Sequence, residues 1–564
     1  MSQVQFYIDG NFEAFTSPKD DEKYHSSAHS NTAVFSEPIV LSGALQKEII
    51  DSSFEKVIEF YNKHEDIFKE FEYAFGINPW FLEHFRITFR FRKFELKLAA
   101  MRAFIEEHPQ GVIVTADSQL LNYFSDSQVR IEKETISSDK ITSVVKELRY
   151  ILSQSRPLPK RRNEDLILSV WHDNESGRDK RFGRLEEGMD KILNRESFNP
   201  KQALPAKDSG YKQEKNVDQL IANYLLTLKA PFELSKFRKG LKQLYQNLRR
   251  ACTNAPLEDR IIFNYFESAY FSQQIYYLRY LAFKRFFKKR NYRSVLFINE
   301  NSAQQKVVQY AASVYGVKSI GIQHGAIYPT HPAYMYGKYN RVPLLPDFTF
   351  VWGEHYRKML IEFGGYPSGQ VITSGRIPPA NPFRIVNPDI PTANNKICIV
   401  YATQPQPDMN LRQRELKAVL KAVNLNADKA HLILRPHPAE VKDDLFQEMA
   451  NEVGFNDFII DRTTDLISQF EMADIFITSY STVGAEFVPF RKPMLILDFL
   501  KADKVDYISQ GVGIPIYVED DLNRILSNEL PAIKEDAYDR FIENYFYKNG
   551  NKALSIIRSI IDAI

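Results

Sequence analysis

Two short segments of this chain carry side chains suited to holding an oxyanion: Arg435-Pro436-His437-Pro438 and Ser479-Tyr480-Ser481-Thr482. Each follows a brief apolar run that reads as a strand, Leu432-Ile433-Leu434 before the first and Ile475-Phe476-Ile477-Thr478 before the second. In an open parallel α/β sheet, ligand groups gather at the carboxyl ends of strands. Prolines on both sides of His437 restrict the backbone, so the imidazole is expected to sit rigidly at a strand end. Arg435 beside it could add a bidentate charge to a phosphate. In the second segment a helix is expected to begin near Val483. Free N–H groups at its start, with the hydroxyls of Ser479, Ser481 and Thr482, suit an anion without a metal. Capping of the helix by Ser481 or Thr482 accounts for the same residues and is compatible with that role. Gly484 and Ala485 are expected to leave the first turn open to close approach. Glu486, one turn beyond Thr482, either reaches a ribose hydroxyl or complements the helix dipole.

A third group of this kind lies upstream. The strand Ser319-Ile320-Gly321-Ile322 runs into Gln323-His324-Gly325. A histidine titrates near neutrality, so His324 is a candidate general base, with ligand binding and a structural role as alternatives. Gln323 is a candidate substrate contact, and Gly325 is expected to permit a turn that a larger residue resists. Glu300, in Asn299-Glu300-Asn301-Ser302 after the strand Ser294–Ile298, is the other candidate base, unless it belongs to a helix cap. Asp173, Glu175, Arg178 and Arg181 crowd the loop after the strand Leu166–Trp171, where further substrate contacts or a plain solvated loop are the two readings. No G-x-x-x-x-G-K-[ST], G-x-G-x-x-G or H-E-x-x-H occurs, and no D-x-D pair that would hold a cation against a diphosphate. Anion binding is therefore expected to rest on His, Arg, hydroxyls and helix ends, with no metal and no cofactor.

The elements that position these residues form two βα series. From Ser294 onward short strands alternate with helices, at Ser294–Ile298, Ser319–Ile322, Asp347–Val351 and Gln370–Thr373. A second series begins at Lys396–Tyr401 and continues through His431–Leu434, Phe458–Ile460, Asp474–Thr478, Met494–Leu497 and Pro515–Val518. Such alternation implies parallel strands joined by crossovers. The Pro- and Asn-rich segment 378–395 reads as the linker between them. Upstream, 53–107 and 217–290 are helical in pattern, Gly111–Thr115 and Leu166–Trp171 are strands, a helix is expected near Arg184–Leu193, and 196–216 reads as a loop. The architecture expected is α/β: two Rossmann-like domains facing a cleft, 111–377 with a helical insertion at 217–290 and 396–564, preceded by a helical or irregular region, 1–110.

The chain has 564 residues, long enough for more than one domain, and its 44% hydrophobic and 26% charged content is that of a globular protein. A formal net charge of +2 argues against a dedicated nucleic-acid binder. Cys252 and Cys398 make neither a disulfide framework nor a metal spacing, which points to a reducing compartment. The first residues lack the basic and apolar regions of a signal peptide, and no apolar run approaches a membrane span, so a cytoplasmic location is expected. Two basic stretches stand out: Lys236–Arg250 with six basic and no acidic side chains, and Lys284, Arg285, Lys288, Lys289, Arg290 and Arg293 around Phe286 and Phe287. They suit either solvated helix faces or an anionic membrane surface.

Taken together, these residues resemble two-domain, GT-B type glycosyltransferases of bacterial capsule and surface polysaccharide synthesis, most clearly from Ser294 to the C-terminus. Arg435-Pro436-His437-Pro438 is similar to the His-Pro motif of sialyltransferases, polysialyltransferases and Kdo transferases, whose His and downstream Ser/Thr contact the phosphate of CMP. Asn299-Glu300-Asn301 followed by Gln323-His324-Gly325 is similar to capsule-type transferases that use CMP-activated ulosonic acids. Thr478–Thr482 with Glu486 and Arg491-Lys492-Pro493 also resembles the CDP-glycerol glycerophosphotransferases, in which a strand-end His-Gly pair supplies the base. The resemblance implies a metal-independent transferase with a nucleotide-sugar donor in the second domain, at Arg435, His437, Ser479, Ser481, Thr482 and Glu486. It implies a glycan or lipid-linked glycan acceptor in the first domain, at Asp173, Glu175, Arg178 and Gln323. The acidic-acidic-glycine motif that carries the base in several sialyltransferase families is not evident, so His324 and Glu300 share that assignment.

Overall fold

The computed structural model describes residues 5–8, 43–107, 112–115, 129–131, 160–170, 182–194, 215–298, 302–325, 327–377, 396–404, 409–437, 440, 443–503, 505–528, 530–546 and 551–564, with isolated positions at 109, 123, 152 and 155. Three parallel sheets are built from these residues. The smallest joins β1 (Gln5–Ile8), β2 (Val112–Thr115) and β3 (Val129–Ile131) in that order. Val112–Thr115 was expected to open the first α/β domain, but its pairing is with this small sheet alone.

The seven-stranded sheet contains β4 (Asp165–Val170), β5 (Asp190–Asn194), β6 (Lys215–Asn216), β7 (Ser294–Phe297), β8 (Lys318–Ile322), β9 (Phe348–Val351) and β10 (Val371–Thr373). Its spatial order is β10-β9-β8-β7-β4-β5-β6, all parallel. The six-stranded sheet contains β11 (Ile397–Ala402), β12 (Ala430–Arg435), β13 (Phe458–Ile460), β14 (Ile475–Thr478), β15 (Met494–Leu497) and β16 (Ile514–Ile516), in the order β13-β12-β11-β14-β15-β16. Counted within each sheet, both orders begin 3-2-1-4-5-6, the doubly wound Rossmann arrangement. The order reverses between β4 and β7 in one sheet and between β11 and β14 in the other. Strands β7, β14 and β15 are buried at every position, as expected when helices cover both faces of a parallel sheet.

One expected element is replaced. The stretch 184–193 is not a helix: a single 3-10 turn at Gly183–Glu186 ends before Gly188, whose φ is +81°, and β5 follows. A backbone in that left-handed region cannot continue a helix, and glycine adopts it without strain.

The chain divides into two compact units that do not follow the sequence simply. One comprises Met1–Ile49, Lys93–Glu134 and Phe383–Glu543, the other Ile50–Arg92, Thr135–Pro382 and Asn544–Ile564. In the first-named unit the core is built on the six-stranded sheet, from Ile399, Leu432, Ile475, Ile477 and Leu495 against Leu416, Val419 and Leu420 of the helix Met409–Leu425. In the other, Ile167, Leu296, Ile320 and Phe350 of the seven-stranded sheet pack with Ile557 and Ile561 of the helix Asn551–Ala563. The last helix therefore completes the core of the earlier sheet, although in sequence it trails the later one. Complete burial of each such isoleucine contributes roughly 1.5–3 kcal/mol. The same unit carries helices at Ala230–Ala251, Leu257–Glu267 and Tyr270–Arg290, packed through aromatic rings such as Phe237 stacked on Tyr277, 3.9 Å apart and nearly parallel. No helix among the described residues is long and apolar enough to cross a membrane.

Candidate functional site

The carboxyl edge of the six-stranded sheet is organised by a buried carboxylate. Glu440 is only 6% exposed, and its Oε2 accepts hydrogen bonds from the His437 backbone N–H at 2.8 Å and from the Thr403 hydroxyl. Its Oε1 accepts from Arg412 Nη2 at 2.5 Å. The Glu440 N–H in turn donates to His437 O at 2.8 Å, closing a tight turn. Thr403, the residue after β11, donates its own N–H to Arg435 O and accepts weakly from the His437 N–H at 3.3 Å. The strand β12 is thereby tied to β11 at the point where His437 leaves the sheet. Burial pulls the His437 pKa below that of an ordinary imidazole, with Glu440 opposing. The ring is thus neutral near pH 7, and in that form one nitrogen donates and the other accepts.

Across the reversal of strand order lie Ser479, Tyr480 and Ser481. The Tyr480 N–H donates to Gln404 Oε1 at 3.3 Å, and Thr478 Oγ1 donates to Ala402 O at 3.3 Å, so β14 is stitched to the segment after β11. Ser481 caps the helix Thr482–Phe487, its Oγ accepting from the Val483 N–H. That helix has only six residues. Tyr507 buttresses it, donating to Ser481 O at 2.8 Å and accepting from the Ala485 N–H at 2.8 Å. Gly484 does not leave room for a ligand, contrary to expectation: a Cβ there would lie 2.7 Å from Tyr507 Cε2 and 3.1 Å from Met494 Sδ. Its missing side chain admits the tyrosine. A shallow, open pocket adjoins these residues, lined by Ser479, Tyr480, Asp498, Phe499 and the buried Glu415 among others.

Arg435 carries a structural load. Its Nη1 donates to Thr464 O at 2.9 Å and to Gln469 Oε1 at 2.6 Å, and Gln469 in turn donates to the fully buried Asp461 at 2.7 Å. A grip on phosphate would fall to its other nitrogens. Glu486 lies within the field of this guanidinium, together with Asp461 and Asp465. Arg491 and Lys492 are likewise engaged: Arg491 pairs with Glu535 and Asp539, and Lys492 Nζ caps the helix Leu466–Met472 through Glu471 O and Ala473 O, each at 2.7 Å.

At the carboxyl end of β8 the side chain of Gln323 is consumed by the fold. Its Oε1 accepts from the Trp352 N–H at 2.8 Å, its Nε2 donates to Gly325 O at 2.8 Å, and its backbone O accepts from Trp352 Nε1 at 3.0 Å. The next residue, His324, is exposed. Gly325 is not in the left-handed region and a Cβ there would meet open space, so the turn does not depend on glycine. Ser302 caps the helix Ala303–Ser313, accepting from the Gln305 N–H. Glu300, Asp173, Glu175, Arg178 and Arg181 lie outside the described residues.

No protein-family model and no curated protein matches the chain. Among solved structures it is similar to the wall teichoic acid polymerase TagF, at 13% identity and a TM-score of 0.39 over 76% of this chain and 98% of that one. It is similar to MurG of Acinetobacter baumannii at 10% identity and a TM-score of 0.37, over 72% of this chain and all of that one. A third is the UDP-GlcNAc 2-epimerase of Neisseria meningitidis bound to UDP-GlcNAc, at 14% identity and a TM-score of 0.36, over 51% of this chain and 82% of that one. At such values the likeness carries no argument about chemistry, which rests on the side chains themselves.

Four site residues escape the sequence motifs: Thr403, Gln404, Arg412 and Glu440. Glu440 alone had a local signal, lying three residues beyond His437 in a turn delimited by prolines. Among the described residues no group of three His, Cys, Asp or Glu side chains is placed to hold a metal ion.

Proposed function

We propose that the chain is a glycosyltransferase that binds a nucleotide-linked donor at the carboxyl ends of β11, β12 and β14. The observation that carries this reading is the turn at His437, pinned by Glu440 and Thr403 beside the reversal of strand order. A rigid neutral imidazole and the hydroxyls of Ser479, Ser481 and Thr482 are donors suited to a leaving phosphate. Donors fixed in advance strengthen as negative charge grows on that group, which lowers the barrier without reorganisation. Arg435 and Glu486 act in support, Arg435 chiefly by positioning the strand end. The acceptor hydroxyl is deprotonated by His324 or Glu300, with Asp173, Glu175 and Arg178 as acceptor contacts and Gln323 holding the loop before His324. The donor favoured is a CMP-activated ulosonic acid, Kdo or sialic-acid-like, and the product a bacterial capsule or lipopolysaccharide glycan; no metal or cofactor is required. The rival donors are CDP-glycerol, transferring glycerol phosphate, and a UDP-sugar that is epimerised or hydrolysed.

A thermal-shift screen against CMP, CDP, UDP and GDP tests the donor class. CMP at about 100 times its Kd should stabilise the chain by roughly 2.7 kcal/mol, since it binds only the folded state. The shift should vanish in His437→Ala and persist in EDTA. A larger response to UDP or GDP than to CMP defeats the ulosonic-acid assignment, and turnover lost under chelation and restored by magnesium defeats metal independence.

The same reading places the protein on an anionic membrane surface, in keeping with a lipid-linked acceptor. Leu226, Leu228 and Phe232 are 67%, 100% and 71% exposed, close in sequence to exposed Lys236, Lys239 and Lys242 of the helix Ala230–Ala251, whose Arg249 is paired with Glu267 at 2.5 Å. Arg293 of the second basic stretch is no part of this surface, being paired with Asp165 at 2.7 Å. Each basic side chain near such a surface contributes about 1 kcal/mol. Co-sedimentation should show binding to phosphatidylglycerol vesicles that weakens in Phe232→Ser and at high salt. Equal recovery with neutral phosphatidylcholine vesicles counts against it.

A further inference from the structure

Arg92 lies on the helix Pro79–Glu107 with only 8% of its surface exposed, yet among the described residues no carboxylate is within ion-pair distance of it. Its Nη2 donates to Thr330 O at a long 3.4 Å, the guanidinium also bonds the Tyr328 hydroxyl, and Nε has no partner. Asp51 acts on it only through its field, and the Phe89 ring lies 5.5 Å from the guanidinium carbon. A buried cation left this incomplete is costly unless something anionic completes it.

Its neighbours are donors. His331 Nδ1 accepts the Ala333 N–H at 3.2 Å, so the neutral ring carries its proton on Nε2. Burial, helped by the fields of His324, Arg92 and His84, keeps the His331 ring uncharged. Tyr328 packs against His331 at 4.8 Å with the two rings tilted by 52°, and because its oxygen accepts from Arg92 its own O–H proton is directed elsewhere. A guanidinium, an imidazole N–H and a phenol O–H thus meet where the Arg92 helix lies against residues 328–331, on the segment that follows the exposed His324.

We infer that Arg92, Tyr328 and His331 form an oxyanion-binding site on the segment that follows His324, which receives a phosphoryl or carboxylate group of the acceptor. The assignment of that anion to an acceptor rests on the transferase reading above; the site itself does not. Anchoring a charged group on the segment that carries the base would fix which hydroxyl of the acceptor meets His324.

The test is calorimetric titration of inorganic phosphate, and separately of acetate, into the full chain carrying His437→Ala, so that the proposed donor-phosphate site cannot answer for this one. One of the two anions should bind, and which one does names the group. Adding Arg92→Gln should weaken that binding about tenfold or more, and Tyr328→Phe severalfold, as expected for loss of a charge-assisted donor and a neutral one. If Arg92→Gln fails to fold, Tyr328→Phe decides. The inference is overturned if neither anion binds, or if the foldable variants bind as tightly as their parent. Anion binding that depends on Arg92, in a protein whose wild-type form shows no CMP shift, would sink the donor reading and leave this site standing.

Discussion

Glu440→Ala is expected to abolish detectable donor binding and to lower the stability of the unit built on the six-stranded sheet by roughly 3 kcal/mol. The carboxylate satisfies three donors at once: Arg412, the Thr403 hydroxyl and the His437 backbone N–H. Removing one member of a buried ion pair costs about 3–5 kcal/mol, because the remaining charge is left without a partner. Arg412 is 19% exposed in its side chain, so water recovers part of its loss and the lower end applies. The effect on binding has a separate origin. Without Glu440 the turn from His437 to residue 440 loses its side-chain anchor, and the imidazole is no longer held at the strand end. Glu440→Gln keeps an acceptor for two of the three donors, so it should retain most of the stability while still weakening the donor severalfold. Urea unfolding together with CMP titration separates these outcomes. A double-mutant cycle with Arg412→Ala should be strongly non-additive, since residues sharing one network couple. Should Glu440→Ala bind CMP as tightly as the parent chain, the His437 turn is not the donor site.

Both large sheets were legible in the sequence because a parallel strand covered on two faces is a short, nearly continuous apolar run. Ile475-Phe476-Ile477-Thr478 and Met494-Leu495-Ile496-Leu497 are such runs, and each is a strand over those residues. β5 was not legible: Asp190-Lys191-Ile192-Leu193-Asn194 has only two apolar positions, and its pairing with β4 is what makes it a strand. His437 and Ser481 could be read locally because prolines and a helix start sit beside them. Thr403 could not, since its role depends on contact with a residue 34 positions away, and Arg92 meets Thr330 across 238 positions. Side chains recruited by sheet order, or by a helix laid against a loop, leave no local spacing to find. The same holds for the final helix, whose Ile557 and Ile561 carry an ordinary helical pattern that does not say which sheet they cover.

The unit built on the seven-stranded sheet should lose roughly 5 kcal/mol of stability between pH 6.5 and pH 4.5, from the linkage of net proton uptake to unfolding. Burial depresses the pKa of His84 to about 4, of His331 to about 3 and of His355 to about 4, all from 6.5. His84 is 1% exposed, and the His355 ring stacks on Tyr545 at 4.1 Å. Each ring stays neutral in the native state below the pH at which it protonates once unfolded. The stability it contributes is therefore whole above pH 6.5 and drains away as pH falls towards the depressed value. Burial of His64 acts in the same direction. Glu83 has the opposite sign: burial raises its pKa from 4.5 to about 7, so across this window the native state holds a proton that the unfolded chain releases. Three histidines against one glutamic acid leave a net uptake of about two protons on unfolding, or about 2.7 kcal/mol per pH unit. All three tryptophans fall within the segments of this unit, and Trp80 and Trp352 are buried, so urea unfolding followed by their fluorescence reports on it directly. His355→Phe should flatten the profile by about one proton, and Glu83→Gln should steepen it by about one, a pair of opposite responses that general acid lability would not produce. A stability that stays level from pH 6.5 to pH 4.5 would mean that these rings are reached by water in the native state.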